Sequence, residues 1–218
     1  GKPLQMANEI HSIIWSFTYA VGMAVSGFIV NLYGVKTAFI IDATIFAIAL
    51  IVFIRIDFVV KASITTDKIF QLIKDGFIYI KNDKIMLHLI FLHSCVGLTS
   101  FDALITILAK NEYKYIISVP LAIGISNAVR AVALMFGPMI ISKYVTKENL
   151  HYLLIFQGIA IILWGLMQEN FYVSLIALFI VGLSTTTLWS FTYALLQNKC
   201  DEKYIGRVIS YNDMFFMI

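Results

Sequence analysis

The sequence predicts an all-α integral membrane protein, a polytopic helical bundle, and three observations carry that prediction. Sixty per cent of its 218 residues are hydrophobic and only 13% are charged, whereas soluble domains usually carry about 25% charged residues. A mean hydropathy of +0.87 would leave a soluble fold with large sticky patches. The apolar residues gather in long runs that lack the two-residue alternation of barrel strands. Each run must then be helical, because lipid offers the backbone no hydrogen-bond partners.

About 20 apolar residues are needed to cross the hydrocarbon core. Six runs reach or approach that length: 10–32, 37–54, 85–109, 119–141, 150–167 and 171–196. A seventh opens at Ile205 and stops with the sequence, so the expectation is six full helices plus a truncated seventh. Tyr33-Gly34-Val35-Lys36 and Gln168-Glu169-Asn170 read as tight connectors that set neighbouring helices antiparallel.

The stretch from Arg55 to Lys84 differs from the rest. It holds six of the 16 basic residues, and Ile69, Ile73, Phe77 and Ile80 recur at helical spacing. Lys68, Gln71, Lys74, Asp75 and Lys81 take the other positions, with Asp67 as N-cap. A basic amphipathic helix of this kind suits the membrane surface or the flank of its own protein. Three parts follow: 1–56 with two membrane helices, a 57–84 linker, and 85–218 with the remaining helices.

Lysine and arginine asymmetry orients the chain. Lys2, the six basic residues of the linker, Lys143, Lys147, Lys199, Lys203 and Arg207 fall on one side. Lys36, Lys110 and Lys114 fall on the other, which makes the linker cytoplasmic. A net charge of +3, dispersed along the chain, gives no footprint for nucleic acid. Cys95 and Cys200 lack any metal-ligand spacing, and no metal or cofactor motif is present.

Short words then point to a family. Ala7-Asn8-Glu9 resembles the opening of the fifth helix in efflux-type members of the Major Facilitator Superfamily, the macrolide and siderophore exporters among them. Gly34-Val35-Lys36-Thr37-Ala38-Phe39-Ile40-Ile41-Asp42-Ala43 is similar to their turn into the sixth helix. Lys74-Asp75-Gly76-Phe77-Ile78-Tyr79-Ile80 resembles the central linker helix, and Gly206-Arg207-Val208-Ile209-Ser210 the start of the eleventh. The resemblance implies a partial superfamily fold, from the fifth helix to the start of the eleventh, with the four preceding helices and the last one absent.

It also implies secondary active transport: proton-coupled export of small hydrophobic or drug-like molecules, with protons as the coupling ion and a bacterial inner membrane as the location. An uptake transporter of another solute, or a membrane scaffold or receptor, is the alternative. Where drug/proton antiporters carry Gly-Pro-x-x-Gly-Gly, this chain reads Gly22-Met23-Ala24-Val25-Ser26-Gly27. Gly22, Ser26 and Gly27 still allow close helix packing, while the direction of transport stays open. A membrane-embedded enzyme would need a motif such as HExxH or a nucleophile–base pair, and none is visible.

Charges inside the bilayer cost roughly 2.5–3.5 kcal/mol each and mark function by default. Asp42, Asp102, Arg130 and Asp213 are the four. Arg130 lies at the centre of its run and Asp102 about 7 Å away in depth at 1.5 Å per residue, a gap that an arginine side chain spans. Asp102 and Arg130 are therefore expected to pair, as a proton-coupling element or a structural ion pair, with Asp213 as a second partner. Asp42 is expected to cap or pack. Candidate cavity residues are His93, Asn127, Gln157, Trp164, Thr185, Thr186, Thr187 and Trp189, while His88 falls near the cytoplasmic interface. Gly137-Pro138 should kink or end its helix. The word Trp-Ser-Phe-Thr-Tyr-Ala occurs at both 15–20 and 189–194; the sequence assigns it no role.

Overall fold

In a bundle embedded in lipid, helices associate through close packing and hydrogen bonds, since lipid tails are as apolar as the side chains they replace. The computed structural model describes residues 2–56, 66–98 and 101–216, with side chains from Met6 onward and from Phe70 in the second helix. The described elements are helical: α1 (Lys2–Ile54), α2 (Thr66–Asn82), α3 (Lys84–Gly97), α4 (Phe101–Asn111), α5 (Val119–Ile141), α6 (Leu150–Leu166), α7 (Phe171–Lys199) and α8 (Ile205–Phe216). A short 3₁₀ turn, Ser142–Tyr144, follows α5.

α1 merges two of the expected helices. A straight helix of its 53 residues would be about 80 Å long, against about 30 Å for the hydrocarbon core. The break is a single residue, Gly34, at φ 79° and ψ 168°, a left-handed conformation that glycine alone adopts without strain. The two expected helices are thus present, and the expected four-residue connector is corrected to a kink at one glycine with helical residues directly on either side. No residue from Val35 to Ile56 is buried, so the two arms do not pack antiparallel on each other. Asp42 lies exposed within the second arm and neither caps nor packs.

The run 85–109 is described as α3 to Gly97 and α4 from Phe101, which together make one apolar stretch, Lys84–Asn111, long enough to span. Asp83 caps α3 by accepting from the backbone N–H of Ile85 (2.9 Å) and Met86 (3.2 Å). Asn170 caps α7 in the same way, on Tyr172 and Val173. Both leave the first-turn donors satisfied where the chain enters a span. Asp67, the expected cap of α2, lies inside that helix, with its side chain outside the described residues. Pro138 sits in the last turn of α5, which continues to Ile141 before the 3₁₀ turn.

Among the described residues, four stretches are long and apolar enough to cross a membrane: Met6–Ile54, Lys84–Asn111, Val119–Tyr144 and Phe171–Lys199. α6, at 17 residues, is a shorter apolar helix. The core gathers on α7, which packs against α1, α3, α5 and α6. Ala177, Leu178 and Val181 meet Phe101, Ile105 and Trp164 at one end, and Leu188 and Phe191 meet Val96, Leu150 and Leu153 further along.

Glycines set close crossings of α5 with α1 and with α7. A Cβ on Gly27 of α1 would stand 3.0 Å from both Gly124 Cα and Pro120 O of α5. One on Gly137 of α5 would stand 2.1 Å from the Leu183 carbonyl oxygen of α7. The packing role expected of Gly22 and Ser26 is not seen: both are exposed, and a Cβ on Gly22 would meet nothing within 4 Å.

Candidate functional site

Where α1, α4 and α5 converge, three polar side chains surround one guanidinium. Arg130 lies midway along α5, and its charge is met by partners inside the bundle. Arg130 Nη2 is 3.2 Å from Asp102 Oδ1 and 3.4 Å from Asn127 Oδ1, one helical turn earlier. It also donates to the Tyr19 hydroxyl at 3.3 Å. Tyr19 in turn donates to Asp102 Oδ1 at 2.9 Å, so one tyrosine joins α1 to both charges. Asp102 is in the first turn of α4, where the helix dipole favours a carboxylate.

Aromatic faces complete the arginine's surroundings. The guanidinium carbon is 4.9 Å from the Phe101 ring centroid and 5.7 Å from that of Tyr19, within range of a cation–π attraction. The pair is asymmetric: the side chain of Arg130 is 10% exposed and that of Asp102 71%. Arg130 Nε has no hydrogen-bond partner among the described residues.

Beside this network an open cavity of about 280 Å³ is lined by Trp15, Thr18, Tyr19, Gly22 and Met23. Trp15 and Tyr19 stack with centroids 5.1 Å apart and planes 8° from parallel. Gly22, one turn further on, has no side chain to fill the space. The first copy of the repeated six-residue word therefore forms an aromatic shelf facing a carboxylate.

The second copy builds a similar shelf elsewhere. Trp189 and Tyr193 stack at 4.8 Å and 19°, and both rings pack on His93. His93 is fully buried; its Nδ1 lies 2.8 Å from Thr192 Oγ1 and its Nε2 has no hydrogen-bond partner among the described residues. Both copies place a stacked Trp–Tyr pair at i, i+4 against a titratable side chain from the α3–α4 region.

The remaining candidates separate into different roles. Asp213 accepts from its neighbour Asn212 at 3.2 Å and does not reach Arg130, so the second-partner expectation is corrected. Gln157 of α6 donates to Thr185 at 2.9 Å and accepts from Ser184, which makes Gln157 and Thr185 a polar clasp between α6 and α7. Thr186 and Thr187 are buried in α7, and the Thr187 hydroxyl has no partner among the described residues. Trp164 packs its ring on Phe101 at 6.0 Å. His88 is exposed, its Nδ1 2.6 Å from the Lys84 carbonyl.

Sequence reasoning missed Tyr19, the hub of the site. An aromatic residue at helical spacing reads the same whether it faces lipid or a partner helix; the repeated word was the one signal that set it apart. It also missed the fastening of α1 at its other end, where Asn8 donates to Gln197 at 2.8 Å and Ser142 donates to Glu9.

Apolar spans tied together by a polar network beside a cavity define a polytopic helical membrane protein with a site inside its bundle. The family model described as Major Facilitator Superfamily matches residues 4–218. The chain belongs to the Major Facilitator Superfamily, a family of secondary transporters that is generally not enzymatic. Its all-helical architecture is consistent with part of that fold, and membership fits a small-molecule substrate and a lipid environment. No curated protein and no solved structure matched the chain.

Proposed function

We propose that the protein is a proton-coupled exporter of small hydrophobic or drug-like molecules, with Asp102 as the proton-accepting group and Arg130 as its counter-charge. The observation that carries this reading is the exposed carboxylate of Asp102, held at once by Arg130 and Tyr19 on the edge of an aromatic-lined cavity. Protonation of Asp102 removes one charge of the pair and leaves the Arg130 guanidinium to Tyr19 and Asn127. The tie from α4 to α1 and α5 then loosens, and the helices are free to change their facing. A hydrophobic molecule with a hydrogen-bond donor or positive charge competes for the same carboxylate while lying against Trp15 and Tyr19. Proton and substrate therefore exclude each other at one group, which is the requirement for exchange.

The test uses the complete protein in proteoliposomes under an imposed pH gradient, with a panel of hydrophobic cationic dyes. Gradient-driven movement that is lost in Asp102→Asn supports the proposal. Movement at full rate in that variant overturns the role of Asp102. Movement in the reverse direction replaces export by uptake.

A further inference from the structure

We infer that the exposed side of α2 seats on the anionic headgroup layer of the membrane, as a lipid-recognition surface separate from the transport site. Covalent geometry fixes the depth first. α2 ends at Asn82, and the single residue Asp83 joins it to Lys84, where the span Lys84–Asn111 begins. The C-terminal turns of α2 therefore lie at the level where the chain enters the bilayer.

Contacts with α8 and the turn before it then fix the roll of the helix. A Cβ on Gly76 would stand 2.9 Å from Arg207 Cβ, so α2 lies directly on α8. Ile80 is buried among Met86, Leu196 and Val208. Tyr79 stacks on Tyr204 at 4.3 Å, and the Tyr211 hydroxyl donates to the Ile73 carbonyl at 3.0 Å. Asp83 is paired with Lys199 at 3.3 Å. The membrane-surface and self-packing readings of this helix thus belong to two different faces.

What the roll leaves outward is a regular pattern. Phe70 and Phe77 are 69% and 51% exposed and stand two turns apart on one edge. Lys74 and Lys81, each four residues beyond a phenylalanine, lie exposed along the same edge. Asp75 is about 120° round the helix from Lys81, on the side that would face water. Aromatic rings entering the headgroup boundary beside lysines that extend up to phosphates is the arrangement of an interfacial helix. Lys84 is exposed next to them, while the nearby acid Asp83 is occupied by Lys199 and the α3 cap. The excess positive charge on this edge selects anionic lipid.

The test uses the complete protein with Cys95→Ala and Cys200→Ala, spin-labelled at Phe77→Cys or, as control, at Asp75→Cys. Nanodiscs contain phosphatidylcholine alone or with phosphatidylglycerol, and collisions with oxygen and with a water-soluble nickel chelate are compared. Oxygen preference at position 77 only with phosphatidylglycerol, weakened in Lys74→Glu/Lys81→Glu, is the expected result. Each lysine should favour the seated state by about fivefold. Position 75 stays open to nickel throughout. Nickel access at 77 in anionic discs, shielding from both reagents as a protein cover would give, or equal oxygen preference in both lipids each overturns the inference.

Discussion

Asp102 and Arg130 are 3.2 Å apart, but only the arginine is enclosed: its side chain is 10% exposed and that of Asp102 71%. The asymmetry decides what each can do. A buried guanidinium is costly to leave unpaired in a bilayer, so Arg130 acts as a fixed charge held by Tyr19, Asn127 and Phe101. Asp102 is the exposed partner, the side from which the proposed proton or ligand would meet the pair.

Asp102→Asn should therefore separate coupling from folding. The amide still accepts from Tyr19 and Arg130, so the loss of stability falls below the ~3–5 kcal/mol typical of breaking a fully buried pair. Dye movement driven by a pH gradient should be abolished while the thermal unfolding midpoint in detergent moves little. A variant that unfolds before it loses transport would assign the pair to structure alone.

Tyr19→Phe tests the hub. The ring and its stack on Trp15 remain, while the hydroxyl that joins Asp102, Arg130 and Asn127 is removed. A net loss of about 1 kcal/mol in stability is expected for the bonds. Transport should fall several-fold more than binding of a planar dye, measured by tryptophan quenching in the same preparation. Equal losses in both would place Tyr19 in substrate contact rather than in the charge network.

Much of this arrangement was legible beforehand, for a physical reason in each case. α5 runs over Val119–Ile141, the same limits as the apolar run, because Pro120 opens it and polar residues close it. Asp102 and Arg130 stood out because intramembrane charge is rare. Gly34 read as part of a loop because hydropathy shows a gap without revealing that one residue's backbone makes the break. Of the three small residues Gly22, Ser26 and Gly27, only the last lies at a crossing, and the choice depends on the roll of α1 against α5, which a single sequence does not record.

Gly137 should be among the least replaceable residues in the bundle. Its missing Cβ is what lets the Leu183 backbone carbonyl of α7 approach α5, and backbone cannot move aside as a side-chain tip can. Gly137→Ala should cost about 1–3 kcal/mol or more, in line with overpacked interiors. Gly158→Ala is the matched control, since nothing lies within 4 Å of the added methyl and alanine favours helix. Thermal unfolding in one detergent should lower the midpoint for the first and leave or raise it for the second.

Asp83 gives a pH-dependent contribution at the junction of α2 and α3. The Met86 N–H bond, with Lys199 and the Ile85 N–H beside it, holds its carboxyl below the usual carboxylate range. A depressed folded-state value means that the charged form is the stabilising one. Its contribution is complete above the ordinary carboxylate value and is lost as pH falls through the lowered one. Replacing the cap should cost about 1 kcal/mol, and Lys199 adds little because the pair is exposed to solvent. The difference in unfolding midpoint between wild type and Asp83→Ala should therefore be constant near neutrality and shrink only in strong acid. A difference that shrinks as pH rises from neutrality instead would mean that a basic group, not the Asp83 carboxylate, controls the junction.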